Sequence, residues 1–150
     1  TDVGSNVGTI FIFAFFAIFL FLRKKRHSLY TFSLAAVSAV ALNEMIKLLV
    51  ERMRPISRLI TETDFSFPSG HGTISIIFLL SSILLISPNI NNKSLRVSFQ
   101  ILATVIFLLV AFSRIYLSVH WASDVLGSLV LASICFTASS IYISRFNSVA

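Results

Sequence analysis

Acidic residues are scarce in this chain: six Asp and Glu stand among 150 residues, against twelve Lys and Arg. Charge of either sign makes up only 12% of the sequence, about half of what a globular domain in water carries. Cys135 is the only cysteine, which excludes an internal disulfide and a cysteine-based zinc site. It reads as a small apolar residue within a helix. What fills the space is apolar, with 56% hydrophobic residues, fifteen Phe and a mean hydropathy of +0.91. A chain of this composition is solvated by lipid. Its net charge of +6 does not make it a nucleic-acid binder, because it has little polar surface on which to spread a basic face.

The length fits one domain, 1–150. Five apolar runs, roughly 6–22, 28–52, 71–87, 97–117 and 122–144, read as membrane spans. Backbone groups in lipid must be satisfied within the segment, so each run is expected to be a helix and the fold an all-α polytopic transmembrane bundle. The first run is followed, not preceded, by the basic stretch RKKRH; that order marks a spanning segment rather than a cleaved leader. One side of the membrane receives Arg23, Lys24, Lys25, Arg26, Lys93, Arg96 and Arg145 and no acid. The other receives Lys47, Arg52, Arg54, Arg58 and Arg114 with Asp2, Glu44, Glu51, Glu62, Asp64 and Asp124. The positive-only side is expected to be cytoplasmic and the mixed side extracytoplasmic, in a plasma or inner membrane.

Several polar residues gather at the mixed end. Lys47 lies in the second span, with Glu44, Glu51 and Arg54 at helical spacing on one expected face. Arg54 precedes Pro55; Ser69, Gly70 and His71 open the third span; Arg114 closes the fourth; His120 and Asp124 open the fifth. Each has a bland reading: a snorkelling lysine, a helix end, a serine cap, a structural histidine. Their convergence at one level of an up-down bundle is less easily explained that way. Lys47, Arg54 and Arg114 together call for a polyanion. The helix start after Pro68-Ser69-Gly70 suits an oxyanion, and Gly70 allows close approach. His120 and Asp124, four apart, are expected to pair so that the carboxylate orients the imidazole. Two histidines can divide nucleophilic attack from proton transfer. No ligand set with metal spacing stands nearby, so no metal is expected.

The segments Lys47-LLVERM-Arg54-Pro55, Pro68-Ser69-Gly70-His71 and Ser113-Arg114-IYLSV-His120-WAS-Asp124 resemble the three-part signature of the type 2 phosphatidic acid phosphatase family. These membrane lipid phosphatases share a superfamily with vanadium-dependent haloperoxidases. The resemblance spans 47–124, about half the chain. It implies that His120 is the nucleophile of a phosphohistidine intermediate, Asp124 its orienting partner, and His71 the general acid and later the base. It makes Lys47, Arg54, Ser69, Gly70 and Arg114 the phosphate-binding set, with no cofactor. Members commonly have six spans with the first signature on the third, so a further span is expected ahead of Thr1.

The leading expectation is a lipid phosphate or diphosphate phosphatase working in the bilayer. Undecaprenyl diphosphate is the first substrate choice, then phosphatidylglycerophosphate or phosphatidate. The competing readings are an intramembrane serine hydrolase built on Ser69, a haloperoxidase relative, and a non-catalytic lipid-phosphate binder or transporter. Oligomeric state is left open.

Overall fold

A computed structural model describes residues 6–56, 59 and 62–149; Asp2 and Arg58, assigned above to the mixed end, lie outside the described residues. The described residues form five helices and no strand: α1 (Asn6–Leu22), α2 (Arg26–Val50), α3 (Gly70–Ser81), α4 (Lys93–Tyr116) and α5 (Ala122–Val149). Beyond Ser81, α3 widens into a π turn (Ser82–Ile86) and tightens into a 3-10 turn (Ser87–Asn89). Four helical stretches are long and apolar enough to cross a bilayer: Arg26–Val50, Gly70–Asn89, Lys93–Tyr116 and Ala122–Phe146. The fifth, α1, has 17 residues, the lower end of what a span needs.

Helix ends follow local chemistry. Asn89 donates to the Leu85 and Ile86 carbonyls at 2.8 and 3.2 Å, satisfying acceptors that the end of the third span leaves free. Asn92 caps α4 by accepting the Leu95 N–H at 3.0 Å. The second span ends earlier than expected. Glu51 turns left-handed (φ 49°, ψ 34°) and its N–H closes on the Lys47 carbonyl at 2.9 Å. The expected single face of Glu44, Lys47, Glu51 and Arg54 is therefore not formed: Lys47 and Glu44 remain neighbours at 3.4 Å, while Arg54 lies beyond the helix. Pro55 adds to this by disfavouring helical geometry at Arg54, the residue before it.

Helices α2 and α5 pack most extensively, with α3 set against both, α1 against α2 and α4 against α3. Small residues line the inner faces, Ala35, Ala36 and Ala39 on α2 and Ala132 and Cys135 on α5. Such faces let helices approach closely, the main source of packing energy where lipid is as apolar as the side chains. At the α1 side Phe32 is enclosed by the rings of Phe13, Phe16 and Phe78, at centroid distances of 4.9, 4.6 and 5.5 Å. Outward, α4 shows Leu102, Val105, Leu109 and Phe112, an apolar surface that fits lipid rather than water. Lys25 donates to Asn89 at 2.7 Å, so the α1–α2 and α3–α4 connections share one end of the bundle. Residues 51–56, 59 and 62–69 and the α4–α5 turn form the other, joined where the Leu59 N–H meets the Leu117 carbonyl at 3.0 Å.

Candidate active site

The site begins at the start of α3. Ser69 is its N-cap, in extended geometry, and its hydroxyl accepts the Gly72 N–H at 3.2 Å. Its N–H donates to the Asp124 carbonyl at 3.2 Å, and its own carbonyl accepts the Ser128 hydroxyl at 2.8 Å. These bonds fasten the first turn of α3 to the first turns of α5. A Cβ on Gly72 would lie 2.9 Å from Ser128 Oγ, so glycine keeps the two helices in contact there. Gly70 opens α3 with Lys47 beside it: a Cβ on Gly70 would stand 3.9 Å from Nζ. The lysine charge thus meets the positive end of the α3 dipole, an arrangement that favours an anion. His71 follows on the same turn, half-buried.

Arg54, 8% exposed, reaches inward from the loop. Its Nε donates to the Asp64 carbonyl at 2.9 Å and its Nη1 to the Val119 carbonyl at 2.8 Å. Nη1 also stands 3.3 Å from His120 Nε2. The Asp64 carboxylate bridges the cations, one oxygen on Lys47 Nζ and the other on Arg54 Nη2. Partial burial pushes the Asp64 carboxyl up, but hydrogen bonds and charge from Lys47 and Arg54 outweigh that and hold it below its ordinary value.

His120 is buried and precedes α5 rather than opening it. Its Nδ1 lies 2.8 Å from the Ser66 carbonyl. A carbonyl only accepts, so Nδ1 carries the hydrogen and Nε2 keeps its lone pair, turned towards Arg54. The expected His120–Asp124 hydrogen bond is not made: Asp124 Oδ2 is 3.6 Å from Nδ1. Asp124 instead sits in the first turn of α5, where Oδ2 accepts the Trp121 N–H at 2.9 Å, the reach-back of a capping residue. Its Oδ1 accepts Arg52 Nη1 at 2.8 Å. The carboxylate charge remains beside the imidazole while its hydrogen bonds go to the helix start and to Arg52.

Arg114 occupies the last turn of α4, half-buried, with Glu62 and Arg54 within electrostatic reach. Its backbone carbonyl accepts the N–H groups of Val119 and His120 at 3.2 and 3.3 Å, so the turn carrying His120 is hung from it. Next to His120 a cleft of about 530 Å³ opens. Pro55, Ile56, Ile115, Trp121 and Ala122 give it apolar walls, and Ser118 and His120 are its polar members.

The structure therefore brings Lys47, Arg54, Gly70 and His120 around one point, with Ser69 and Asp124 as its fastenings. Sequence reasoning placed Asp64 and Arg52 at this end but gave them no role in the site, and it missed Asn43 and the Ser66 carbonyl. Asn43 was detectable as a polar residue one turn before Lys47; it donates to Thr73 Oγ1 at 2.9 Å, and its Oδ1 lies beside Gly70. Among the described residues no group of three or more His, Cys, Asp or Glu could hold a metal ion.

A sequence profile of the PAP2 superfamily matches residues 28–148. Phosphatidylglycerophosphatase B of Bacillus subtilis is 37% identical over 99 residues, covering 63% of this chain and 48% of its own length. Undecaprenyl-diphosphatase of Sulfolobus acidocaldarius is 31% identical over 124 residues, covering 78% and 56%. The chain thus spans about half the length of the curated relatives it matches. A crystal structure of a transmembrane PAP2 type phosphatidylglycerolphosphate phosphatase from Bacillus subtilis superposes with a TM-score of 0.80 at 27% identity, over 96% of this chain and 73% of the other.

Proposed function

The chain belongs to the PAP2 superfamily, and from that premise we propose that it is a membrane-embedded lipid phosphatase acting through a phosphohistidine. The observation that carries this reading is the setting of His120, with Nδ1 2.8 Å from the Ser66 carbonyl and Nε2 3.3 Å from Arg54 Nη1. The Nε2 lone pair attacks phosphorus, the bond to the leaving oxygen breaks, and His71 delivers a proton to that oxygen. Water then attacks the phosphohistidine, with His71 taking its proton, and inorganic phosphate departs. Lys47, Arg54, Arg114 and the start of α3 stabilise the phosphoryl oxygens as their charge grows. Ser69 and Gly70 shape that start. Asp124 holds negative charge near the ring as it becomes cationic. Neutralisation by cationic side chains leaves no step that calls for a divalent metal.

The apolar cleft beside His120 suits a substrate whose tail remains in lipid while its headgroup enters. The two curated relatives are named for phosphatidylglycerophosphate and undecaprenyl diphosphate, and phosphatidate shares the same chemistry. The charge bias directs the site to the extracytoplasmic face of a plasma membrane. An undecaprenyl diphosphate left on that face is therefore the first choice. The chain acts as one unit, with 47–124 its signature-bearing part. A Ser69-based hydrolase is less well supported, since Ser69 is fully buried and its hydroxyl accepts a cap bond.

The test is phosphate release from a panel of lipid phosphates and diphosphates by the full-length protein in detergent, with and without EDTA. Release unaffected by EDTA is expected. No release from any of them by an intact, folded protein overturns the reading, and strong loss on chelation overturns its metal-free form.

A further inference from the structure

Lys47 and Arg54, the two most buried cations of the proposed phosphate site, are already bridged by an anion: the two carboxylate oxygens of Asp64. A carboxylate with one oxygen on each cation copies the way two phosphoryl oxygens would engage them. We propose that Asp64 is a built-in competitor for the phosphate site, so that substrate phosphate binds, and product phosphate leaves, by exchange with this carboxylate.

Three features fit a group that comes and goes. The cations are fixed and enclosed, their side chains 9% and 4% exposed, whereas the Asp64 side chain is 44% exposed. The Asp64 backbone is held separately, its carbonyl accepting Arg54 Nε at 2.9 Å, so rotation of the side chain towards water frees the cations without moving the loop. Two neighbouring buried cations are costly unless neutralised; Glu44 reaches Lys47 at 3.4 Å and Glu62 reaches Arg54 at 4.0 Å, and the Asp64 carboxylate, which touches both cations, relieves that cost further whenever the site holds no phosphate. After hydrolysis the same carboxylate, tethered at an effective concentration on the order of millimolar, competes with inorganic phosphate for Lys47 and Arg54. Product inhibition is weakened, and substrate affinity is lowered with it.

This inference rests on the phosphate-site reading above, and a binding experiment separates the two. The full chain, its Asp64→Asn variant and a Glu44→Gln control are titrated by calorimetry in detergent with methyl phosphate and dimethyl phosphate. Near about pH 8 the first is a dianion and the second a monoanion. Glu44 also lies by Lys47, at 3.4 Å, but does not touch Arg54. Removing a competitor raises the affinity of every ligand by the same factor. Removing a remote charge helps the dianion more. Asp64→Asn is therefore expected to tighten both anions by the same factor, roughly tenfold or more, and Glu44→Gln to tighten them less and in proportion to their charge. A gain for Asp64→Asn that scales with ligand charge, no gain, or weaker binding overturns the competitor role while leaving the phosphate site intact. Failure of both anions to bind any of the three proteins overturns the phosphate site itself.

Discussion

The two ends of this bundle are held together by different means. At the α1 side the contacts are apolar: Phe32 between Phe13, Phe16 and Phe78, and small residues of α2 against α5. At the site end the chain is fastened by directional bonds. Ser69 joins Asp124 and Ser128, Arg54 joins Val119, and the Ser66 carbonyl holds His120. Dispersion contacts are non-directional and sum to stability; hydrogen bonds are directional and fix atoms in place. The first end is thus a scaffold and the second an instrument, and substitutions at each should report different quantities.

The largest separation is expected for His120→Ala. Turnover should fall by at least about 10³-fold and the acid-labile phosphoenzyme should vanish, while the lost bond to the Ser66 carbonyl lowers stability by only about 1 kcal/mol. A phosphoenzyme that persists would remove His120 as nucleophile. The reverse pattern is expected for Phe32→Ala, where the emptied ring site lowers stability by about 3 kcal/mol while kcat/KM of the folded fraction stays near wild type. Equal losses of activity in both variants would dissolve the distinction between the two ends. Arg52→Ala is intermediate. It strips Asp124 of a 2.8 Å bond and should lower kcat about tenfold, with KM little changed and partial rescue by Arg52→Lys. A pure KM effect would show that Arg52 meets substrate instead of positioning Asp124.

The scaffold was legible in the sequence because lipid imposes one rule on every span. Apolar runs placed the helices within a few residues, and the Ser69 cap and the closing place of Arg114 were read from residue type alone. The instrument was legible only where a side chain carries the chemistry. Lys47, Arg54, His71 and His120 are conspicuous in an apolar chain; the Ser66 carbonyl is not, since any residue supplies one. Asp124 misled because its spacing to His120 fits a pair equally well with or without a helix between them. Its carboxylate was taken by the Trp121 N–H, which the start of α5 leaves without a helical partner. Asp64 lies in a connection with no periodicity to place it, and only the folded structure shows it on Lys47 and Arg54.

The smallest expected effect concerns Asp64 and acid. Its carboxyl is held below the usual carboxylate value by Lys47 and Arg54, against the opposing effect of burial. A depressed folded-state pKa means that the ionised form favours the native state. The stabilisation is therefore fully present above the unfolded-state pKa, about 4, and is lost as pH falls through the lower folded-state value. Because the side chain is 44% exposed, solvent screening keeps the effect below about 1 kcal/mol. Unfolding temperature followed from about pH 6 to about pH 3 should show wild type above Asp64→Asn at the upper end, with the gap closing towards the lower. A gap that is constant across that range would mean that Asp64 acts through shape, as asparagine largely could. A gap that widens in acid would reverse the sign and place the carboxyl in its neutral form. Only a closing gap keeps Asp64 as an ion on the two cations, a charge at the instrument end that adds to the strength of the scaffold.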